Sequence, residues 1–291
     1  MKRHFLWLLC GLSLSGLAWA EQPGEYSREI QKWQQQRYEN LAGPQSWLTL
    51  VGLHFLDKGP TKLGVRNGQL DLKKPEKILG VFEFDGNKLS LRPQEAVLLN
   101  EAPFAGGALD LSAADSSQVL RWGRYVAVPV KRDMRWALRL KDSESPSRKK
   151  FKGLNYFPVD SRFRIEAKFE PFATPKKTQV ISAMGTKEDE TYPGEVVFTW
   201  EGNQVRLMVT GEPQQKSWML NFADKTNGKS SYGGGRYLYF DVPTSDKVTL
   251  DFNRCFTPPC AFTHFATCTL VPQCNRLPFK LEAGEQWPAK Q

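Results

Sequence analysis

Beyond residue 43 the chain alternates apolar and polar residues in short runs, and nearly every run is closed by a turn signal. Alternation with period two puts one set of side chains on each face of a strand, so these runs read as half-buried strands with no helices between them. Val81-Phe82-Glu83-Phe84 and Lys88-Leu89-Ser90-Leu91 flank Asp85-Gly86-Asn87, and Glu195 to Trp200 and Gln204 to Val209 flank Glu201-Gly202-Asn203. Both arrangements predict hairpins. Trp136, Leu138 and Leu140 oppose Arg135, Arg139 and Lys141; Phe163, Ile165, Ala167 and Phe169 oppose Arg162, Arg164, Glu166 and Lys168. Trp47 to Val51 reads as a strand, and Val126 to Val130 as an edge strand, because Pro129 cannot donate to a ladder. The expected fold is mostly β: an N-terminal amphipathic helix, a small β-sandwich, then a larger antiparallel sandwich or barrel.

The helix is the exception to the alternation. Between Glu25 and Leu41, Tyr26, Ile30, Trp33 and Leu41 recur near helical spacing among Gln, Arg, Lys and Glu, and Gly43-Pro44 stops the run. Its apolar stripe is narrow, which suits a helix lying on a β body. Ahead of it, Lys2 and Arg3 form a positive n-region, Phe5 to Leu17 an apolar h-region, and Ala18-Trp19-Ala20 an A-x-A cleavage site. The expected organisation is a signal peptide at 1–20, the helix at 21–43, a first β block at 44–131 and a second at 132–291. Cleavage after Ala20 implies a periplasmic or secreted protein. Cys10 lacks the small residue ahead of it that a lipid-anchored leader requires, and no later stretch is apolar enough for a membrane helix.

The formal net charge is +9, with Lys2 and Arg3 in the leader. The basic residues are spread along the chain and carry no nucleic-acid module signature, so a solvated basic surface is the expectation and no nucleic acid is expected as partner. Fingerprints of serine hydrolases, zinc proteases, nucleotide-binding loops and dinucleotide folds are absent from the sequence. Past the leader only His54 and His264 remain, too few for three-histidine zinc catalysis, and no metal or other cofactor is expected.

Cys255, Cys260, Cys268 and Cys274 fall in one window. Four thiolates could bind zinc, but their spacings are wider than usual zinc pairs, and an exported chain meets an oxidising compartment. Nested disulfides, Cys260–Cys268 within Cys255–Cys274, are the preferred pairing of the three possible. Ser231-Tyr232-Gly233-Gly234-Gly235-Arg236 is either a tight turn into a strand or an anion nest with Arg236 beside it.

Three segments together carry a family resemblance. They are Ser145-Pro146-Ser147-Arg148 with Phe151 to Asp160; Tyr232 to Leu238; and Leu250-Asp251-Phe252-Asn253-Arg254 through Cys260 and Cys268 to Glu285. The chain resembles the bacterial domain-of-unknown-function family numbered 1684, which brings no established activity. Cys260 and Cys268 fall on that family's cysteine pair, whereas Cys255 and Cys274 stand where it usually has other residues. The first block more weakly resembles a forkhead-associated sandwich, through the rhythm Leu63-Gly64, Gly80 to Phe84 and Leu89 to Leu91.

The polar members of these motifs define the candidate site in the second block. Arg148 and Arg236 would bind an anionic group, with Tyr156, Arg162 and Tyr232 beside them. Asp251 and Asn253 would orient it. Asp160 or Asp251 would be the general base if the protein is a metal-independent hydrolase. The leading expectation is an exported envelope protein that binds a small polar or anionic ligand. The competing reading of the same residues is a salt-bridge network that ties strands together.

Overall fold

A computed structural model describes residues 24–112 and 118–290, so the expected signal peptide at 1–20, with Cys10, lies outside the described residues. Helix α1 spans Glu25–Ala42 and stops at Gly43, which is extended. Ile30 and Leu41 are its buried apolar positions. Trp33 meets the Tyr156 ring edge-on at 6.3 Å. Residue 37 completes the same stripe, and the arginine there proves to be central to docking.

The strand expected from Trp47 starts three residues late. Ser46 Oγ accepts the Leu48 amide at 3.2 Å, winding Trp47–Thr49 into a 3-10 turn, and the strand runs Leu50–Phe55. It is the edge of a six-stranded sheet. Next to it lies Arg135–Asp142, then Tyr125–Arg132, Leu120–Trp122 and the short strands Leu98–Leu99 and Ala102–Pro103. Arg135–Asp142 was expected in the second block. It pairs along its length with Tyr125–Arg132, so the boundary between the two cores falls after it. Its alternation fitted either block; only the partner strand distinguishes them.

Pro129 is not on an edge strand in the strand order. Its strand pairs with Leu120–Trp122 only from Tyr125 to Ala127, so that side of Pro129 is already past the ladder. The proline therefore removes no bond. A second sheet of five strands, centred on Gly59–Arg66, Lys77–Phe84 and Leu89–Pro93, faces the first. Leu63, Phe82, Leu89, Leu91, Trp122, Leu138 and Leu140 fill the space between them. The expected hairpin turns at Asp85, whose Oδ1 accepts the amides of Asn87 and Lys88 at 2.7 Å each.

The second unit curls around its own core as a half-barrel. Lys247–Asp251, Arg164–Ile181, Lys187–Trp200 and Asn203–Val209 form one antiparallel sheet. Thr210 and Met219 exchange backbone bonds of 2.9 Å, joining that sheet to the pair Ser217–Phe222 and Arg236–Asp241. Val196, Phe198, Leu207, Leu220, Phe222, Leu238, Leu250 and Phe252 lie inside. The hairpin expected at Glu201-Gly202 is present, both residues taking positive φ (48° and 79°). The two longest strands run past the alternation legible in the sequence. Beyond Phe169 the outer half of Arg164–Ile181 is largely exposed, whereas Thr191 to Gly194 on its partner are buried, and the tip bonds to the cysteine loop through Ala183 N to Cys268 O at 2.7 Å and Leu270 N to Ile181 O at 3.0 Å.

Among the described residues no helix is long and apolar enough to cross a membrane. In the triple-glycine loop, a Cβ on Gly234 would stand 2.6 Å from the Tyr232 ring, and Gly235 is confined by backbone as well. Its φ is +95°, and a Cβ there would sit 2.4 Å from Val271 Cγ2 and 2.7 Å from the Phe222 carbonyl oxygen. A Cβ on Gly233 would meet nothing nearer than 3.8 Å. Gly235→Ala is therefore expected to destabilise by about 2–4 kcal/mol, and Gly233→Ala by no more than about 0.5 kcal/mol. Urea denaturation of both variants checks this; equal effects would make the loop's tightness irrelevant.

Candidate functional site

Arg236 begins its strand opposite Phe222 and is completely buried. Its guanidinium pairs with the equally buried Asp224 at 2.6 Å and donates to the carbonyls of Leu281, at 2.7 Å, and Ala283. Asp224 Oδ1 accepts the amides of Thr226 at 2.7 Å and Leu281 at 3.2 Å. The faces of Phe222 and Phe157 lie 5.4 and 5.9 Å from the guanidinium. The expectation that Arg236 holds a ligand anion is thus corrected: its anion is Asp224, which the sequence reading did not single out. The glycine loop serves this burial, since Gly235 brings the backbone against Phe222 just before Arg236 turns inward.

Asp160, Asp251 and Asn253 do meet. Asn253, 2 % exposed, accepts the Asp160 amide at 3.1 Å and donates Nδ2 to the Asp160 carbonyl at 2.8 Å. Asp251 caps the 3-10 turn Phe252–Arg254. Its Oδ1 accepts the Tyr26 hydroxyl at 2.8 Å, and Asn253 Nδ2 donates to that same hydroxyl oxygen at 2.9 Å. Burial, then the bond to Asp251, raise the Tyr26 pKa. Asp160 caps Ser161–Phe163 and grips the exposed Arg162 guanidinium at 2.6 Å. Those bonds hold its carboxyl below the ordinary carboxylate range, which makes it a weak base. The cluster joins α1 to the second unit.

The other candidates are dispersed. Arg148, in the one-turn helix α2 (Pro146–Lys150), donates to the carbonyls of Ala42 and Ser143 at 2.8 Å each, closing the C-terminus of α1. Tyr156 lies half-buried, and burial followed by the Glu285 carboxylate raises its pKa. Glu285, fully buried, was missed. It accepts Arg37 Nε at 2.8 Å and the Thr257 amide at 2.8 Å, while Arg37 also bonds the Thr257 carbonyl at 3.1 Å. The signal lay in α1: Arg37 occupies the stripe position four residues from both Trp33 and Leu41, where an apolar residue would be expected.

All four cysteines in the window are free. The outer pairing is corrected. Cys255 is fully buried with its thiol donating to the Ala283 carbonyl at 3.4 Å, whereas Cys274 is exposed beside Asn275. Packing of Phe252 and Gly284 around Cys255 points it inward. Burial pushes its pKa up to about 12. Cys260 and Cys268 do lie together: the Cys260 amide donates to Cys268 Sγ at 3.2 Å, and the two thiols are hydrogen-bonded. Tyr232, expected at a ligand, bonds Cys260, and Tyr237 bonds Cys268. The Cys268 bond lowers the Cys260 thiol to about 7, while Cys268 itself is raised by donating that bond.

Two cavities border the first sandwich. The first, about 350 Å³, sits between α1 and the outer face of the six-stranded sheet. Arg37, Arg139, Lys141, Asn40, Ser46 and Trp47 line it, and no carboxylate does among the described residues. The second, about 380 Å³, separates the first sandwich from the Cys260–Phe265 loop, and its polar wall includes Gln69, Ser147, Thr263 and His264.

The family model described as "protein of unknown function, DUF1684" matches residues 149–286. The chain belongs to this family. A solution NMR structure of an uncharacterized protein from Haloarcula marismortui is 30% identical over 48% of this chain and 78% of its own length, with a TM-score of 0.41. No curated protein matches. The DUF1684 segment holds the Arg236–Asp224 pair, the Asn253 cluster and the cysteine loop, whereas Arg37, Arg139 and Lys141 lie outside it.

Removing one partner of a buried pair strands the other charge away from water. Arg236→Met is expected to cost about 3–5 kcal/mol, and Arg236→Met with Asp224→Leu distinctly less than the single change. Chemical denaturation of the set provides the check; a double variant as unstable as the single one would contradict this account.

Proposed function

We propose that this is an exported envelope protein that binds a small anionic ligand in the basic cavity beneath α1. The observation that carries the reading is the placement of Arg139 and Lys141. They stand two residues apart on one strand, so both project from the same sheet face into a cavity that Arg37 also lines. Arg37 is committed to Glu285, and the Arg139 guanidinium lies 5.2 Å from the Trp47 ring centroid. Lys141 donates to the Gln45 carbonyl at 2.6 Å. Burial, then the Arg139 charge, lower the Lys141 pKa. An anion between the two would relieve that repulsion, and Asn40 and Ser46 offer polar atoms beside it.

The proposed location shifts from the second block to the space between α1 and the first sheet. Arg148 and Arg236, the cations first considered, spend their donors on backbone carbonyls and Asp224. Hydrolysis with Asp160 or Asp251 as base draws less support, because both carboxylates already cap turns and accept several hydrogen bonds. In the periplasm, the Cys260 and Cys268 thiols would close as a disulfide.

Calorimetric titration of the mature protein with inorganic phosphate or citrate at low ionic strength is expected to show saturable binding. Lys141→Met should weaken it about tenfold, the loss of one charge-assisted bond. Arg162→Met, on the exterior, should leave it unchanged. Binding that survives Lys141→Met, or no heat with either anion, would remove the reading. Export is checked separately: protein recovered from the periplasm should begin at Glu21.

A further inference from the structure

We propose that Cys260 and Cys268 form a thiol–disulfide exchange centre, in which Cys260 attacks small disulfides that enter the cleft and Cys268 resolves the adduct. The inference rests on the disulfide reading only for the pairing of these residues; the anion cavity is independent of it. Cys260 lines the 380 Å³ cleft and is partly exposed, which gives a small disulfide a route to it. Cys268 does not line the cleft and stands behind Cys260 in thiol–thiol contact.

The surrounding donors give the two thiols unequal roles. Cys260 accepts bonds from the Cys268 thiol and the Tyr232 hydroxyl, and backbone amides of Cys260 and Ala261 add to them. These stabilise a thiolate at Cys260, pulling its pKa to about 7, within the range of reactive cysteines. Cys268 keeps its proton while it donates to that thiolate. Cys255 shows the contrast: buried, donating to a carbonyl, with its thiol raised to about 12, it has neither access nor activation.

The exchange balances. The Cys260 thiolate attacks one sulfur of the small disulfide; its S–S bond breaks and a mixed disulfide forms, expelling one thiolate. Capping Cys260 removes the negative charge that held the proton on Cys268. The Tyr237 hydroxyl bonded to Cys268 then favours its thiolate. The proton passes to the expelled thiolate, directly or through solvent. Cys268 attacks the Cys260 sulfur, closing the Cys260–Cys268 disulfide and expelling the second thiolate, which takes the proton Cys260 first gave up. The protein's two thiols are oxidised and the small disulfide is reduced to two thiols.

The test uses the full mature chain with Cys274→Ser, which silences the exposed thiol, and oxidised glutathione as the probe. Adding Cys268→Ser should trap glutathione on Cys260, seen by intact mass and peptide mapping. Adding Cys260→Ser instead should give no adduct. Alkylation of Cys260 by iodoacetamide should follow a midpoint near pH 7 and run about tenfold faster at that pH than an ordinary thiol. With both thiols present, glutathione should be released and the 260–268 bond should form and reopen with reduced glutathione. Failure to trap an adduct on Cys260, or equal trapping on Cys268 in the Cys260→Ser variant, overturns the proposal. A 260–268 bond that forms but resists reduced glutathione in the folded protein overturns exchange and keeps the pairing. No bond with any oxidant overturns both.

Discussion

The second unit depends on the ion pair between Arg236 and Asp224. Taking two charges out of water costs several kcal/mol each, even after the protein relaxes. The arrangement is viable because the remaining hydrogen-bonding capacity is largely used. Arg236 reaches two carbonyls, and Asp224 takes two amides, one of them from the same Leu281 whose carbonyl Arg236 bonds. The pair therefore fixes three segments at once: the strand that begins at Arg236, the turn after Phe222, and the chain from Leu281 to Ala283. Cys255 is drawn into the same place, since its thiol shares the Ala283 carbonyl with Arg236.

A second buried charge extends this logic to the helix. Glu285 is held by Arg37 of α1 and by the Thr257 amide. Tyr26, three turns earlier, bonds Asp251 and Asn253. A narrow apolar stripe alone would let α1 slide or roll on the β body. The two polar attachments set its position along its own axis, and Arg148 closes its end through Ala42. Once α1 is fixed against the second unit, its last turns, from Arg37 to Leu41, roof the strand bearing Arg139 and Lys141. The basic cavity is thus a product of docking: its residues come from the helix, the following loop and the first sheet.

The cysteines show how far environment separates chemically identical groups. Cys255 and Cys260 are five residues apart in sequence. One lies in the interior beside a carbonyl acceptor, and the other lies at a cleft wall among donors. Burial alone raises a thiol, and hydrogen-bond donors aimed at sulfur lower it. Spacing along the chain carries neither fact, which is why an outer pairing of Cys255 with Cys274 was plausible from sequence.

Much of the architecture was legible because it is periodic. The helix, the hairpins at Asp85 and Glu201, and the mostly β class follow from which face each side chain must present, a local property. The family resemblance was legible too, through Phe151 to Asp160 and the cysteine loop. Less legible was membership: Arg135–Asp142 alternates well, but the identity of its neighbours depends on chain reversal far away. Least legible was the use of polar residues. Asp160, Asp251 and Asn253 stand together, and their work is capping and helix docking. Arg236 was correctly singled out and wrongly assigned, because a buried arginine and a ligand-binding arginine look alike until the partner is known. Alternation encodes inside and outside strand by strand. Whether a charge placed inside meets a carboxylate, a carbonyl or an open cavity depends on segments dozens of residues away, and that is decided by how the sheets and the helix close on one another.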